Sequence, residues 1–377
     1  MVEYAKYELK NVCSRLSSGK SISSKMISEE GRYPVYGGNG LRGYTDHSNF
    51  SGDCAIIGRQ GAFCGNVRYF SGEAYMTEHA VVVCANNLNN THYLAYLLST
   101  MNLGRLSGQS AQPGLSVKTL GIQEIMLPSI EYQNKVVALL SSLDEKIAVN
   151  NNINDNLQQQ AAAIFRSWFV DCDLFGGKAP DEWENVTLED ITALVSRGIT
   201  PKYADDTDQI VINQKCVRNH MIDLSLARTH TPKVINEKWL RFGDLLINST
   251  GDGTLGRAAQ VWFQPKNLTV DSHVTIVRPA KENLIFYIGL WGILHEKEIE
   301  SLHTGSTGQT ELPRDRVKAM ELRLPDNDTL DRFNALITPM AAAIVANQEE
   351  NNQLAALRDA ILPKLMSGEI DVSAVQL

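Results

Sequence analysis

The stretch "GQSAQPGLSVKTLGIQEIMLP", Gly108 to Pro128, decides the fold, because the chain repeats it. At Gly305 to Pro325 it reads "GSTGQTELPRDRVKAMELRLP", 197 residues further on. Aligned without gaps, Gly108/Gly305, Gln112/Gln309, Leu115/Leu312, Glu124/Glu321, Leu127/Leu324 and Pro128/Pro325 coincide. A period that long is no solenoid; it implies two copies of a whole domain, each with its own C-terminal extension.

The correspondence extends upstream. "GDCAIIGRQGAFCGNVRYF" (Gly52–Phe70) parallels "GDLLINSTGDGTLGRAAQVWF" (Gly243–Phe263). Both read as strand, Gly-rich turn and strand. "TEHAVVV" (Thr77–Val83) parallels "DSHVTIV" (Asp271–Val277), and a helix-like apolar segment comes after each. The copies differ most at Arg32–Phe50 and Arg197–Leu224. One scaffold with two sets of divergent loops implies two related but different binding surfaces.

Downstream, each copy runs into a long segment almost free of Pro and Gly. Steps of four and three place Val136, Leu140, Leu143, Ile147, Asn150, Asn154, Leu157, Ala161, Ile164 and Trp168 on one seam. The second segment places Phe333, Ile337, Met340, Ile344, Asn347, Asn351, Leu354, Arg358, Ile361 and Leu365 likewise. These patterns predict helices over roughly 130–170 and 328–366, paired along a coiled-coil seam. An antiparallel pair sets Asn150 against Asn351 and Asn154 against Asn347, amide layers that fix register. The bland alternative is that the asparagines face solvent. Arg358 breaks the apolar rule, with Leu357 expected to fill that layer, and Pro339 is expected to kink the second helix. The predicted fold class is α+β: two similar α/β domains separated by two long antiparallel helices, in an internal pseudo-twofold repeat. The expected boundaries are 1–129 and 173–326 for the two domains, and 130–172 and 327–377 for the helical segments.

Composition narrows the function. Net charge is −8, against indiscriminate coating of nucleic acid. The charge is uneven: residues 1–128 are net +2 and residues 326–377 net −5, which leaves room for a local basic face. The six cysteines form no C-x-x-C, so buried free thiols are expected rather than zinc or disulfides. No apolar run reaches the ~18 residues of a membrane span, and the N-terminal residues lack signal-peptide character, so a cytoplasmic protein with no membrane partner is expected. "GDGTLG" (Gly251–Gly256) matches a dinucleotide fingerprint, but β-forming residues and Pro265 come next where a helix is needed. A Gly-rich hairpin turn is the better reading. No Walker loop, amino-methyltransferase motif or H-E-x-x-H is present. His79 and His273 occupy equivalent positions, where a structural or polar-contact role is commoner than ligation. No catalytic residue and no metal ligand is proposed. Two heads on a rigid spacer suit a target with two separated parts. The seam from Val136 to Trp168 corresponds to about 48 Å of helix, or about 14 base pairs of duplex.

The runs "LAALRDAILPKLMSGEIDV" (Leu354–Val372) and "AAAIFRSWFVDCDLF" (Ala161–Phe175), with the two repeated loop-to-strand motifs, resemble the specificity subunit of type I restriction–modification systems. The resemblance covers the whole chain. It implies a non-catalytic DNA-binding subunit that reads a bipartite double-stranded site, one half per recognition domain, across a gap set by the paired helices. It implies two methyltransferase subunits as direct partners and two restriction/translocase subunits in the larger complex. This chain would bind no cofactor itself; its partners would use S-adenosylmethionine, ATP and Mg. The competing class is a two-headed protein scaffold without sequence-specific DNA readout, and a third reading is a nucleotide-dependent enzyme built on Gly251–Gly256.

Base edges call for Arg, Lys, amide and hydroxyl side chains on loops. The candidates in the first domain are Tyr36, Asn39, Arg42, Tyr44, Arg59, Gln60, Asn66, Ser110 and Gln112. Those in the second are Lys202, Tyr203, Asn213, Gln214, Lys215, Arg218, Asn219, Thr250, Arg257, Thr307 and Gln309. About half of each set is expected to contact only water or phosphate.

Overall fold

The six-residue strand Cys13–Ser18 pairs antiparallel with Ala80–Ala85, which pairs with Phe50–Gly58, which pairs with Val67–Met76. Tyr33–Gly37 joins Val67–Met76 in parallel, and Gly40–Thr45 closes the edge of this six-stranded sheet. This is a computed structural model, and it describes residues 2–107, 114–251, 253–305 and 310–374, without the side chain of Ala62. Alternation along the central strands sends Ala55, Ile57, Val81 and Val83 into one core and Cys54, Ile56, Ala80 and Val82 into another. Both faces are therefore covered, which explains the nearly continuous apolar run of each strand. Helix Thr91–Thr100 packs on the first face. It begins at Asn90, whose side chain accepts hydrogen bonds from the His92 and Tyr93 N–H groups.

The chain divides into two compact units, Met1–Ile147 with Asn352–Leu377, and Ala148–Asn351. The second unit repeats the topology of the first. Thr192–Arg197, Val274–Pro279, Leu245–Asn248 and Ala258–Gln260 form a sheet in that order, all antiparallel. Ala5–Glu8 pairs with Glu124–Leu127 in one unit, and Glu184–Thr187 with Glu321–Leu324 in the other. The apolar ends of the two repeated stretches are thus the returning partners of each domain's first strand. Gly251–Gly256 lies in the connection between two antiparallel strands, as a turn should.

A finer detail is duplicated. Gly19 donates its N–H to Ala80, and the next residue, Lys20, donates to Met76. Gly198 donates to Val274, and the next residue, Ile199, donates to Val270. At both glycines the chain crosses backbone: an added Cβ would stand 2.1 Å from the Met76 oxygen at Gly19 and 1.9 Å from the Val270 oxygen at Gly198. The units diverge beyond this frame. The first extends its sheet with the 33–45 hairpin. The second sets Ile210–Ile212 between Leu268–Val270 (parallel) and Arg228–Thr229 (antiparallel), and adds the hairpin Val217–Arg218/Met221–Ile222.

Two long helices come after the Leu-Pro ends. One is Ile130–Phe165, continued by a wider turn over Arg166–Val170; the other is Asn327–Ser367. Each starts just after proline with a polar cap: Ser129 Oγ accepts the Tyr132 N–H, and Asp326 accepts the Thr329 N–H. The second helix runs unbroken through Pro339, whose ring lies on the exposed side.

In both units the helices run antiparallel. Within the first, Tyr132 donates to the Ile370 carbonyl (2.9 Å) and Arg358 pairs with Asp144 (2.6 Å). Within the second, Asn150 donates to Asn351 (2.9 Å) and Asn347 donates to Asn154 (2.8 Å). Asn351 also donates to Asn151, and Asn150 to Glu350. Asn150 is fully buried and Asn154 nearly so; they do not face solvent. Among the other seam positions, Val136, Leu140, Phe333, Ile337, Ile344 and Leu365 are buried. Leu143, Ile147, Leu157, Ile164, Trp168, Met340, Asn347, Asn351, Leu354 and Ile361 are half-buried. One expectation is corrected here. Leu357 does not fill the layer at Arg358, for it is half exposed. Arg358 fills the layer itself, because Asp144 neutralises its head while its stem lies along the seam.

Candidate nucleic-acid interface

In the first unit the candidates lie on the edge hairpin and the 59–66 turn. Tyr36 is half-buried, its ring 5.1 Å from that of Phe70. Burial and the neighbouring Tyr44 push its hydroxyl pKa up, and Arg68 opposes them. Asn39 and Arg42 are exposed on the hairpin, and Tyr44 is half-buried beside them. Arg59 is half-buried, and one guanidinium nitrogen reaches Ser18 Oγ (3.4 Å) and the Glu78 carbonyl (3.5 Å). Gln60 and Asn66 are exposed; Gln60 is bridged to Gly114, and Asn66 uses its backbone to close the turn with Gly58 and Phe63. Ser110, Gln112, Thr307 and Gln309 lie outside the described residues.

In the second unit, Lys202 and Tyr203 are exposed, and the Arg228 guanidinium stacks on the Tyr203 ring at 3.6 Å. Asn213 spends its side chain on its own loop, donating to Leu226 O and accepting from the Lys215 N–H. Gln214 accepts from Thr250 Oγ1 (3.1 Å), which also meets His273 Nδ1 (2.7 Å). These three close a polar cluster over the Gly-rich turn, and Arg257 sits half-buried at its far end. Lys215, Arg218 and Asn219 are exposed, but not on a flat surface: with the rest of their hairpin they line a cavity of about 650 Å³.

Several residues near these positions gave no sequence signal. Arg228 reaches Tyr203 from 25 residues away. Arg68 packs its guanidinium against the Gly40 backbone, at φ +95°. His220 comes directly after Asn219 at the hairpin tip, both left-handed (φ +59° and +51°), the geometry of a two-residue primed turn. Its Nε2 meets Glu296 at 3.2 Å, and that hydrogen bond raises the imidazole pKa against the effect of burial. Only His273 had a usable clue, its equivalence to His79.

The arrangement is two like-folded domains carrying unlike polar loops. Residues 1–159 match the family model described as type I restriction modification DNA specificity domain. The specificity subunit of the type I restriction enzyme EcoprrI of Escherichia coli is 41% identical over 134 residues, 34% of this chain and 33% of that protein. The specificity subunit of the type I restriction enzyme MjaIX of Methanocaldococcus jannaschii is 27% identical over 313 residues, 75% of this chain and 69% of that one. Alignment thus spans a third of one relative and about seven-tenths of the other. The crystal structure of a type I restriction–modification S subunit from M. genitalium shares the fold, with TM-score 0.59, 14% identity and coverage of 97% of this chain and 96% of that one. Residues 1–159 thus match the type I restriction–modification specificity domain, and the chain as a whole shares the fold of a type I S subunit. No described helix is long and apolar enough to cross a membrane.

Proposed function

We propose that the chain is the sequence-reading subunit of a type I restriction–modification enzyme. Each domain reads one half of a bipartite duplex site. The paired helices set the gap and carry two methyltransferase subunits, and restriction/translocase subunits join through the complex. The chain itself performs no chemistry; S-adenosylmethionine, ATP and Mg are used by the partners. The observation that carries this reading is the duplicated domain frame, down to the Gly19/Gly198 crossing, combined with divergence at 33–45 and 199–230. A shared frame with different loops is what two different half-sites require.

Within each domain, exposed Arg42, Asn39, Gln60 and Asn66, and Lys202, Tyr203, Lys215, Arg218 and Asn219, are the side chains free to reach bases or phosphates. Asn213 acts as a loop brace. Arg59 and the Gln214–Thr250 pair hold loop shape, with at most one polar edge left for DNA. Methylome sequencing of cells carrying this chain with a cognate methyltransferase tests the reading. A bipartite adenine-methylated motif should appear, and exchanging residues 1–128 for another subunit's domain should change one half only. An unchanged motif after that exchange would refute it. Inserting four residues after Gln158 should lengthen the unread gap; an unaltered gap would show that the helices do not measure it.

A further inference from the structure

The cavity in the second unit shares Lys215 and Arg218 with the side chains proposed to reach DNA, but its apolar lining and an unsatisfied amide are features that duplex reading does not use. Part of its lining is apolar: Trp262, Phe263, Leu290 and Ile293. Its lining carries two cations, Lys215 and Arg218, whose side chains have no ion-pair or hydrogen-bond partner among the described residues, together with the carboxylates Asp155 and Asp223. Another part of the lining is helical and amide-rich, with Gln158, Gln159 and Gln348. Gln348 Oε1 is buried there without a hydrogen-bond partner. An unsatisfied buried acceptor costs about 1–3 kcal/mol, so the site calls for a donor. The volume of about 650 Å³ is that of a small-molecule pocket.

The three demands define one ligand chemistry. A planar apolar body must lie on Trp262 and Phe263. An anionic group must face Lys215 and Arg218. A donor on the edge of the ring must reach Gln348. A glutamine amide recognises adenine by accepting from its exocyclic amine and donating to the neighbouring ring nitrogen. We propose that this cavity binds a nucleotide with an amino-bearing purine, its ring on Trp262 and Phe263, its amine on Gln348 and its phosphate on Lys215 and Arg218. The nucleotide comes either free from solution or from a DNA strand with an unstacked base. The proposal does not rest on the reading of duplex half-sites, because the free nucleotide is a sufficient probe.

Titration calorimetry on the full chain tests it, with AMP, IMP, adenosine, inorganic phosphate and a 5′-phosphorylated oligodeoxyadenylate. AMP should bind at least tenfold more tightly than IMP, whose ring offers a carbonyl where the amine is needed, and more tightly than adenosine or phosphate. Arg218→Gln should weaken AMP at least tenfold, and Gln348→Leu should erase the preference over IMP. Binding by AMP identifies a free nucleotide as the source; binding by the oligonucleotide alone, weakened by the same variants, identifies the strand. Absence of heat with every probe up to millimolar concentration overturns the proposal, as does equal binding of AMP and IMP. The AMP/IMP comparison needs no variant, so a substitution that fails to fold leaves the proposal falsifiable.

Discussion

Replacing Asn154 and Asn347 by leucine, singly and together, tests the buried amide layer of the second unit. Asn154 is 5% exposed, and its Oδ1 accepts the Asn347 Nδ2 at 2.8 Å. Asn154→Leu removes that acceptor and leaves the Asn347 amide without it, at a cost of about 1–3 kcal/mol. Asn347→Leu leaves the Asn154 carbonyl unmatched at similar cost. The double variant removes both polar groups and sets two leucines beside Ile344 and Leu157. That change is neutral or stabilising, since a polar seam position costs stability in exchange for register. The expected coupling is therefore at least about 1.5 kcal/mol, within the range for residues in direct contact. Urea unfolding of the four proteins, monitored through the transition of the second unit, gives the cycle. If the two single effects add to within about 0.5 kcal/mol, the hydrogen bond is not what holds this layer.

Other contacts give further expected outcomes. Asp144→Ala strips Arg358 of its cross-helix partner, leaving it only the neighbouring Asp359, and Tyr96 of its acceptor (2.5 Å), and should cost about 1–2 kcal/mol by thermal unfolding, the pair being about a third exposed and so partly screened. Gly19→Ala and Gly198→Ala should each destabilise their own unit by about 3 kcal/mol or more in denaturant unfolding, because the colliding atoms are backbone. Stability should fall steeply above about pH 10. Burial raises Tyr93, Tyr96 and Tyr287 above the ordinary tyrosine value and holds Tyr4 at about 12. The unfolded chain then releases protons that the folded chain keeps, so each of the buried three contributes up to about 1.4 kcal/mol per pH unit. Melting temperatures from pH 8 to 11.5 check this, and a flat profile above pH 10 would contradict it.

The periodic features were legible in the sequence and the long-range ones were not. The seam could be read because a 3.5-residue period leaves its mark on every turn, asparagines included. The first helix continues to Val170 and the second ends at Ser367, close to the limits read from the pattern. The strand–turn–strand units were visible because Gly clusters interrupt β-branched runs. The Arg358 layer was misread because its partner Asp144 lies 214 residues away, and a periodicity argument sees only a broken rule. The stack of Tyr69 on His92 (3.7 Å) and His92 on Tyr96 (4.6 Å) joins a strand to a helix and has no sequence spacing to announce it. Side-chain type is all that the sequence offers for picking out contact residues. Type alone could not show that Asn213 is consumed by its own loop, or that Lys215 and Arg218 line a cavity.

The paired glycine crossings have an evolutionary consequence. Each domain's frame rests on a backbone intersection at Gly19 or Gly198 and on covered sheet faces, to which the 33–45 and 199–230 segments contribute a few buried residues, Val35, Ile212, Cys216 and Val217 among them. Mutations at the exposed positions of those segments, such as Asn39, Arg42, Lys215 and Arg218, are therefore largely hidden from selection on stability, and those at the buried positions are not. A lineage can change the exposed side chains there without first acquiring compensating changes in the frame.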